Sequence, residues 1–221
     1  HPLANPAPAP RGGRTPQLLV WAPTAPAADI VPTATLGYAQ FLNPAPPAPT
    51  LWNERLEVDF TAHVSYLAAG AVTPFDEVAS VGFREAMPAP PVPPATTPIG
   101  PVVTPVVAPL VNGVSAFAPP ASVTATPTFS WTQPASGPAS RYVIEIFRLS
   151  SSGSASASTL AATWATAGTS ATLPAGLLQA GGTYYARITA FLNPGDSLAT
   201  APYRTANMGA YASTLTATFA P

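Results

Sequence analysis

The sequence predicts an all-β protein in which a Pro-rich region with a smaller β domain or hairpin precedes an antiparallel sandwich. Two observations predict this fold class. Short runs of alternating apolar and polar residues, separated by Ser, Gly and Pro turns, recur at regular spacing after Ser115. No segment of useful length carries the apolar period of a helix, and the Thr content of 158–167 favours a strand there as well.

Shifts in composition divide the chain into four regions. We expect a Pro-rich arm with short strands at 1–50, a β-hairpin or small β domain at 51–87, a Pro-rich strap at 88–118 and the sandwich at 119–221. The start of the arm combines Pro and Gly without an apolar period, which predicts irregular backbone. A chain that begins at His1 is expected to be a mature product whose signal peptide has been removed, or a fragment.

Residues 56–67 carry the clearest strand pattern of the N-terminal half. Apolar side chains occupy alternate positions from Leu56 to Tyr66, and polar side chains occupy the positions between them. This strict period of two predicts a half-buried strand. Residues 77–87 are expected to return as its hairpin partner, with a bulge near Gly82.

The Pro-rich strap lies in a stretch without charge that runs from Ala86 to Ser140. Its length is that of a membrane span. Prolines recur throughout 88–110, however, and they exclude a helix there. We therefore expect no transmembrane segment, and an extended strap that is covered by solvent or by protein.

The most informative local pattern is LLQAGGTYYARITA at 177–190. Gly181 permits a tight turn, after which residues alternate between two faces of a strand. We expect the ring of Tyr184 to be buried and its hydroxyl to bond to the backbone at the corner of a sandwich. The expected core residues are Trp131, Tyr142, Ile144, Ile146 and Ile188.

Residues 119–221 resemble the fibronectin type III family. Leu178, Gly181 and Tyr184 reproduce the Leu-x-x-Gly-x-x-Tyr spacing that leads into the sixth strand of that family. The resemblance implies a binding or spacer module, but it names no ligand, and the long final loop lacks Arg-Gly-Asp. It also implies the second strand at 127–131, the third at 141–148, the fifth at 169–174 and the last at 211–219. The chain departs from the family in the low-complexity loop expected at 150–158, between the third and fourth strands.

Composition argues against several classes of function. The eight basic residues are scattered arginines and the net charge is −1, which leaves no basic face for nucleic acid. Cysteine is absent, which excludes disulfides and thiolate chemistry. There is no Gly-rich phosphate loop and no Gly-x-Ser-x-Gly, and the paired acids Asp76 and Glu77 are expected to be solvated in a turn. We expect a non-catalytic protein without a cofactor.

Two arrangements of side chains suggest a metal site. Glu57, Asp59 and His63 share one strand face at two-residue spacing, and the α-amino group and imidazole of His1 would chelate copper at a mature N-terminus. Neither set completes a ligand sphere. The sequence therefore predicts a solvated polar face and no metal.

The sandwich face opposite the core is predicted to bind a partner. If Tyr142 and the alternate residues after it face inward, the intervening residues face outward, where Glu145 and Arg187 are expected to pair across the sheet. An exposed apolar patch usually marks an interaction site. The alternative is that the N-terminal region or its strap covers this face within the same chain. The predicted partner-binding residues are Val143, Phe147, Trp164 and Tyr185.

These patterns favour a structural or protein-binding subunit of a bacterial envelope or extracellular assembly, at the cell surface, outside the cell or in the periplasm. Its partners are expected to be other protein subunits, identical or different. One alternative is a carbohydrate-binding accessory module in which Trp52, Trp164 or Tyr185 stacks on polysaccharide. Another is a peripheral subunit docked on a membrane protein complex.

Overall fold

The computed structural model describes residues 2–6, 52–86, 101–118, 123–193, 198 and 209–221. The regular structure in these ranges consists of eleven β-strands, and no helix occurs in them. The predicted all-β class is confirmed. Beyond Pro6, the arm with its predicted short strands lies outside the described residues, as does the strap from 88 to 100.

The chain forms two compact units, His1–Val58 with Arg84–Gly100, and Asp59–Phe83 with Pro101–Pro221. In the first, strand β1 (Pro2–Pro6) pairs antiparallel with the beginning of β2 (Trp52–Tyr66). The start of the arm, which was predicted to be irregular, therefore contains a strand. Its two terminal prolines are compatible with an edge position, where a strand needs hydrogen bonds on one side alone.

The second unit contains two antiparallel sheets. The large sheet has the strand order β2-β3-β11-β10-β7-β8, and the small sheet has the order β5-β4-β6-β9. The remaining strands are β3 (Phe75–Ala86), β4 (Val107–Val111), β5 (Val114–Ser115), β6 (Thr128–Thr132), β7 (Arg141–Ser152), β8 (Ala155–Thr166), β9 (Ser170–Thr172), β10 (Thr183–Leu192) and β11 (Ala210–Leu215).

Most strands match the sequence-based expectations, and two segments differ. The loop expected at 150–158 is a tight turn at Gly153 between two long strands. The segment expected to be a strap supplies β4 and β5 of the small sheet, because a bulge accommodates its prolines. Ala108 has a φ of 45°, and the register of β4 against β6 shifts between Val107 and Leu110, so that Pro109 is buried without a place in the ladder.

The predicted core lies between the two sheets. Trp131 of the small sheet packs edge-on against Tyr142 of the large sheet, with ring centroids 5.1 Å apart. The other expected core residues are also buried, because β7 and β10 point alternate residues toward the small sheet. Tyr142, Ile144, Ile146, Tyr184, Ala186 and Ile188 form the large-sheet side of this core.

A tyrosine corner precedes β10, as predicted. Tyr184 is buried, and its hydroxyl accepts a hydrogen bond of 2.9 Å from the backbone N–H of Gln179. Gly181 adopts a φ of 72° in the intervening turn. A Cβ on Gly182 would lie 2.7 Å from the Tyr184 hydroxyl, so the ring can approach the chain here because no side chain intervenes.

The hairpin of β2 and β3 is joined to the large sheet along β11. The ladder pairs Ala210, Tyr211 and Ala212 with Phe83, Gly82 and Val81. At the next position the ladder stops, and the Ser213 hydroxyl instead accepts from the N–H of Ser80 and donates to its carbonyl. From this point the hairpin crosses the outer face of the large sheet, the face that points away from the small sheet.

Candidate functional site

The outer face of the large sheet carries an aromatic stack at its centre. Tyr185 is fully buried between Tyr66 of the hairpin, at 4.1 Å between ring centroids, and Phe147 of β7, at 5.1 Å. All three rings are nearly parallel. The stack therefore joins the hairpin to the sandwich through aromatic contact as well as buried area.

Both tyrosine hydroxyls in this stack are hydrogen-bonded. The Tyr185 hydroxyl donates to Glu77 at 2.7 Å and lies 2.6 Å from the hydroxyl of Ser158. The Tyr66 hydroxyl donates to the carbonyl of Thr216 at 2.6 Å. Burial raises the pKa of both tyrosines well above its ordinary value, and the nearby carboxylate of Glu77 adds to this effect.

Arg187 lies beside the stack and forms ion pairs with two carboxylates. It contacts Glu77 of β3 and Glu145 of β7, the latter at 3.3 Å, and its guanidinium lies 5.2 Å from the ring centroid of Phe147. The predicted pairing of Glu145 with Arg187 is confirmed. We call the set Tyr66, Glu77, Glu145, Phe147, Tyr185 and Arg187 the outer-face cluster.

Glu77 is the member of the outer-face cluster that sequence reasoning missed. It was expected to be solvated with Asp76 in a turn, but both residues lie in β3 and only Asp76 is exposed. The side chain of Glu77 is 13% exposed. The sequence does contain a signal for its burial. Glu77 lies two residues from both Phe75 and Ala79, so it shares their strand face, and those two residues pack against the core.

The structure places three of the four predicted partner-binding residues on the outer face. Val143 and Phe147 are half-buried there, opposite Thr189 and Tyr185 of β10. Tyr185 is covered by the hairpin of the same chain, so it is not available to a partner. This agrees with the alternative that the N-terminal region covers this face within the same chain, and it corrects the prediction that Tyr185 binds a partner. Partner contact at Val143 and Phe147 stays a prediction.

Trp164 lies on the other face of the large sheet. The register of β8 against β7 shifts between Ile146 and Phe147, and this shift pairs Trp164 with Ile144. The side chain of Ile144 points into the core, so that of Trp164 lies on the same face. Ala161 is the extra residue at this bulge, and one extra residue reverses the face of every later residue in a strand. Leu160 takes the expected place opposite Phe147 and is about half exposed.

The loop at the end of the hairpin is fastened to the turn between β7 and β8. The N–H groups of Val72 and Thr73 donate to the carbonyl of Ser154 at 2.7 and 2.9 Å, and the N–H of Ser156 donates to the carbonyl of Thr73 at 2.8 Å. The Ser156 hydroxyl accepts from the N–H of Ala68 at 2.9 Å. These bonds fix the loop end of the hairpin, and the ladder between β3 and β11 fixes its other end.

The predicted polar face of β2 engages the sheet in one place. The hydroxyl of Tyr211 donates to Asp59 at 2.5 Å, and its ring lies over Gly82, where a side chain would collide with both groups. His63 is exposed. Across the described ranges, no group of three or more His, Cys, Asp or Glu residues could hold a metal ion. The absence of a metal stays a prediction, since Glu57 and His1 have no described side chains.

The contacts of the outer-face cluster attach the hairpin to the large sheet. Two carboxylates face one guanidinium, two tyrosine hydroxyls have partners, and every contact joins the hairpin, β7, β8, β10 or the segment after β11. Such a network fixes the position of one element on another. The absence of catalysis remains an expectation from the sequence.

Comparison with family models, with curated proteins and with solved structures gave no match. The class of protein is therefore defined by the fold alone, as an all-β protein with two antiparallel sheets. In the part of the chain that the structure describes, there is no helix of the length and apolarity required to cross a membrane.

Proposed function

We propose that the protein is a non-catalytic structural or protein-binding subunit of a bacterial envelope or extracellular assembly, in which residues 119–221 belong to a fibronectin type III-like module. The observation that carries the proposal is the surface of β8. No charged residue occurs from Leu149 to Ala186, and β8 presents this uncharged sequence along an exposed strand that includes Leu160. A surface of this kind is poorly suited to remaining free in water.

The strand arrangement supports the type III-like interpretation. The strands expected to be second and fifth are neighbours in the small sheet, and those expected to be third, sixth and last are neighbours in the large sheet. Ig-like sandwiches divide their strands between two sheets in this way and have a tyrosine corner before the sixth strand. The bond between Tyr184 and Gln179 supplies that corner here.

The carbohydrate-binding alternative loses one of its three stacking candidates. Tyr185 has aromatic rings on both faces, so a sugar has no access to it. Trp164 is half-buried, and the side chain of Trp52 lies outside the described residues. Docking on a membrane protein complex is a special case of the subunit proposal and uses the same uncharged surface.

Hydroxyl-radical footprinting of the native protein in its cells, compared with the purified chain at a dilution where it is monomeric, tests the proposal. We expect the oxidation of Leu160 to decrease in the native assembly. Val114 provides a matched control, since it is also 51% exposed but belongs to the small sheet. Equal oxidation of Leu160 in both samples, or protection that requires polysaccharide and no protein, would contradict the proposal.

A further inference from the structure

The outer edge of β8 is a long strand edge that lacks the usual protection. Hydrogen bonds from Val72 and Thr73 cover the backbone of Ser154 and Ser156 at its beginning. Beyond Ser156, no described strand pairs with this edge, since β8 is the last strand of the large sheet. Among the described residues, alternate positions of 157–166 therefore present outward backbone N–H and carbonyl groups without a strand partner, and together these groups form a template for another strand.

Other edges of the described sheets differ from β8 in length. At the two ends of the small sheet, β5 has two residues and β9 has three. Very short edge strands are one of the means by which proteins prevent edge-to-edge pairing. β8 has twelve residues, and it contains neither a charge nor a proline. Apart from the bulge at Ala161, the devices that block pairing are missing from it.

We propose that β8 pairs with β8 of a second copy of this chain, antiparallel and about a two-fold axis, so that the two large sheets become continuous. This inference rests on the proposed function as an assembly subunit and names its partner. The proposed contact residues are Ala157 to Thr166.

Charge favours a second copy as the occupant. Two identical strands place identical charges near one another, and like charges that lie opposite each other destabilise a sheet. β8 carries no charge, so this penalty is absent between the two paired strands. A two-fold axis also matches each backbone donor on one strand with an acceptor on a strand of the same length.

The side chains of β8 also suit self-pairing. Ala, Ser and Thr predominate in the strand, and Leu160 and Trp164 are the two large residues. Small side chains let two backbones approach without a steric obstacle, and Leu160 on the outer face supplies apolar surface. The hydrogen bonds of Ser154 and Ser156 with the hairpin loop limit the pairing to the part of the strand that follows them.

The oligomeric state of the full chain tests the proposal. Analytical ultracentrifugation over a concentration series should reveal a monomer–dimer equilibrium. Hydrogen exchange at 158–166 should slow as the dimer fraction rises. The paired substitution Ala161→Lys with Ala165→Lys places charge on exposed positions of β8 and should raise the dissociation constant about tenfold or more. Val72→Lys adds a charge on a side chain that is 80% exposed in the hairpin loop and should leave the dissociation constant unchanged.

Two results overturn the proposal. One is a chain that is monomeric throughout the series, and the other is a dimer whose β8 amides exchange as fast as in the monomer. The exchange measurement uses the unmodified protein, so it decides the matter even if the lysine variant fails to fold. If the chain is monomeric but Leu160 is protected by a different protein in the native assembly, the second-copy inference fails and the proposed function stands. If Leu160 is unprotected as well, both fail.

Discussion

The two faces of the large sheet are buried by different means. The inner face packs against the small sheet through apolar and aromatic side chains such as Ile144, Ile188 and Trp131. The outer face is covered by the hairpin, and there a tyrosine stack is combined with ion pairs around Arg187. Shape and apolar area therefore hold the inner face, whereas a specific polar network positions the cover of the outer face.

This difference has an energetic consequence. Apolar burial is non-directional, and it tolerates changes that conserve volume. A partly buried ion pair gains little net stability, but it leaves an uncompensated charge when one partner is removed. The inner face should therefore respond to changes in side-chain volume, and the outer face should respond to changes in charge and hydrogen bonding.

The largest effect is expected from Trp131→Ala on the inner face. The substitution removes a buried indole beside Tyr142 and should lower the free energy of unfolding by about 3–5 kcal/mol. Chemical denaturation followed by circular dichroism measures this change. Trp131→Phe keeps an aromatic ring and should cost less than Trp131→Ala. A denaturation curve unaltered by Trp131→Ala would mean that the core does not lie between the two sheets.

A smaller effect is expected from the ion pair on the outer face. Glu77→Gln and Arg187→Gln, combined in a double-mutant cycle, should give a coupling energy of about 1–3 kcal/mol, because each single change leaves a charge partly buried. Asp76→Asn is a matched control in the same strand, since Asp76 is exposed. Coupling near zero would show that the hairpin position does not depend on this pair.

Loss of the tyrosine-corner hydrogen bond should lower the free energy of unfolding by no more than loss of the ion pair does. Tyr184→Phe keeps the ring but deprives the Gln179 N–H of its acceptor, at a cost of about 1–2 kcal/mol. Urea denaturation of the variant measures the change. A stabilised variant would contradict the assigned hydrogen bond. Tyr211→Phe, which removes an exposed bond to Asp59, should cost less.

The smallest effect is expected from the ionisation of the two tyrosines of the stack, and it appears only at alkaline pH. Their pKa is raised in the folded state, so an unfolded chain loses these protons first, which lowers the free energy of the unfolded state relative to the folded state. Stability should be unaffected below about pH 10 and then fall by about 1.4 kcal/mol per pH unit for each such tyrosine. Unfolding curves of the wild type and of Tyr66→Phe between pH 8 and pH 11 measure this, and the variant should have the shallower slope. Parallel slopes would contradict burial of the Tyr66 hydroxyl.

The inner face was predictable from the sequence, whereas the outer face was predictable only in part. Alternation along β7 and β10 places Ile144 inward and Phe147 outward, because period two is local information. The identity of the cover is not local, since Tyr66 lies far from Tyr185 in the chain. Trp164 was assigned to the wrong face because an alanine-rich strand gives no indication of where an extra residue will form a bulge.

Two further differences have equally specific causes. Prolines at 105 and 109 predicted a strap, but β4 forms because its bulge removes Pro109 from the ladder. Glu77 appeared to be a turn residue, because a short-range pattern does not reveal the arginine that it meets across the sheet. In both cases a long-range contact outweighs a local preference.

The bond between Tyr66 and Thr216 has a consequence for the order in which the molecule can be completed. Its donor and acceptor are 150 residues apart. Ribosomes release the N-terminal part first. The apolar side chains of the hairpin therefore stay unburied until at least 150 further residues have been synthesised. During that interval the nascent hairpin exposes apolar surface of the kind that chaperones protect.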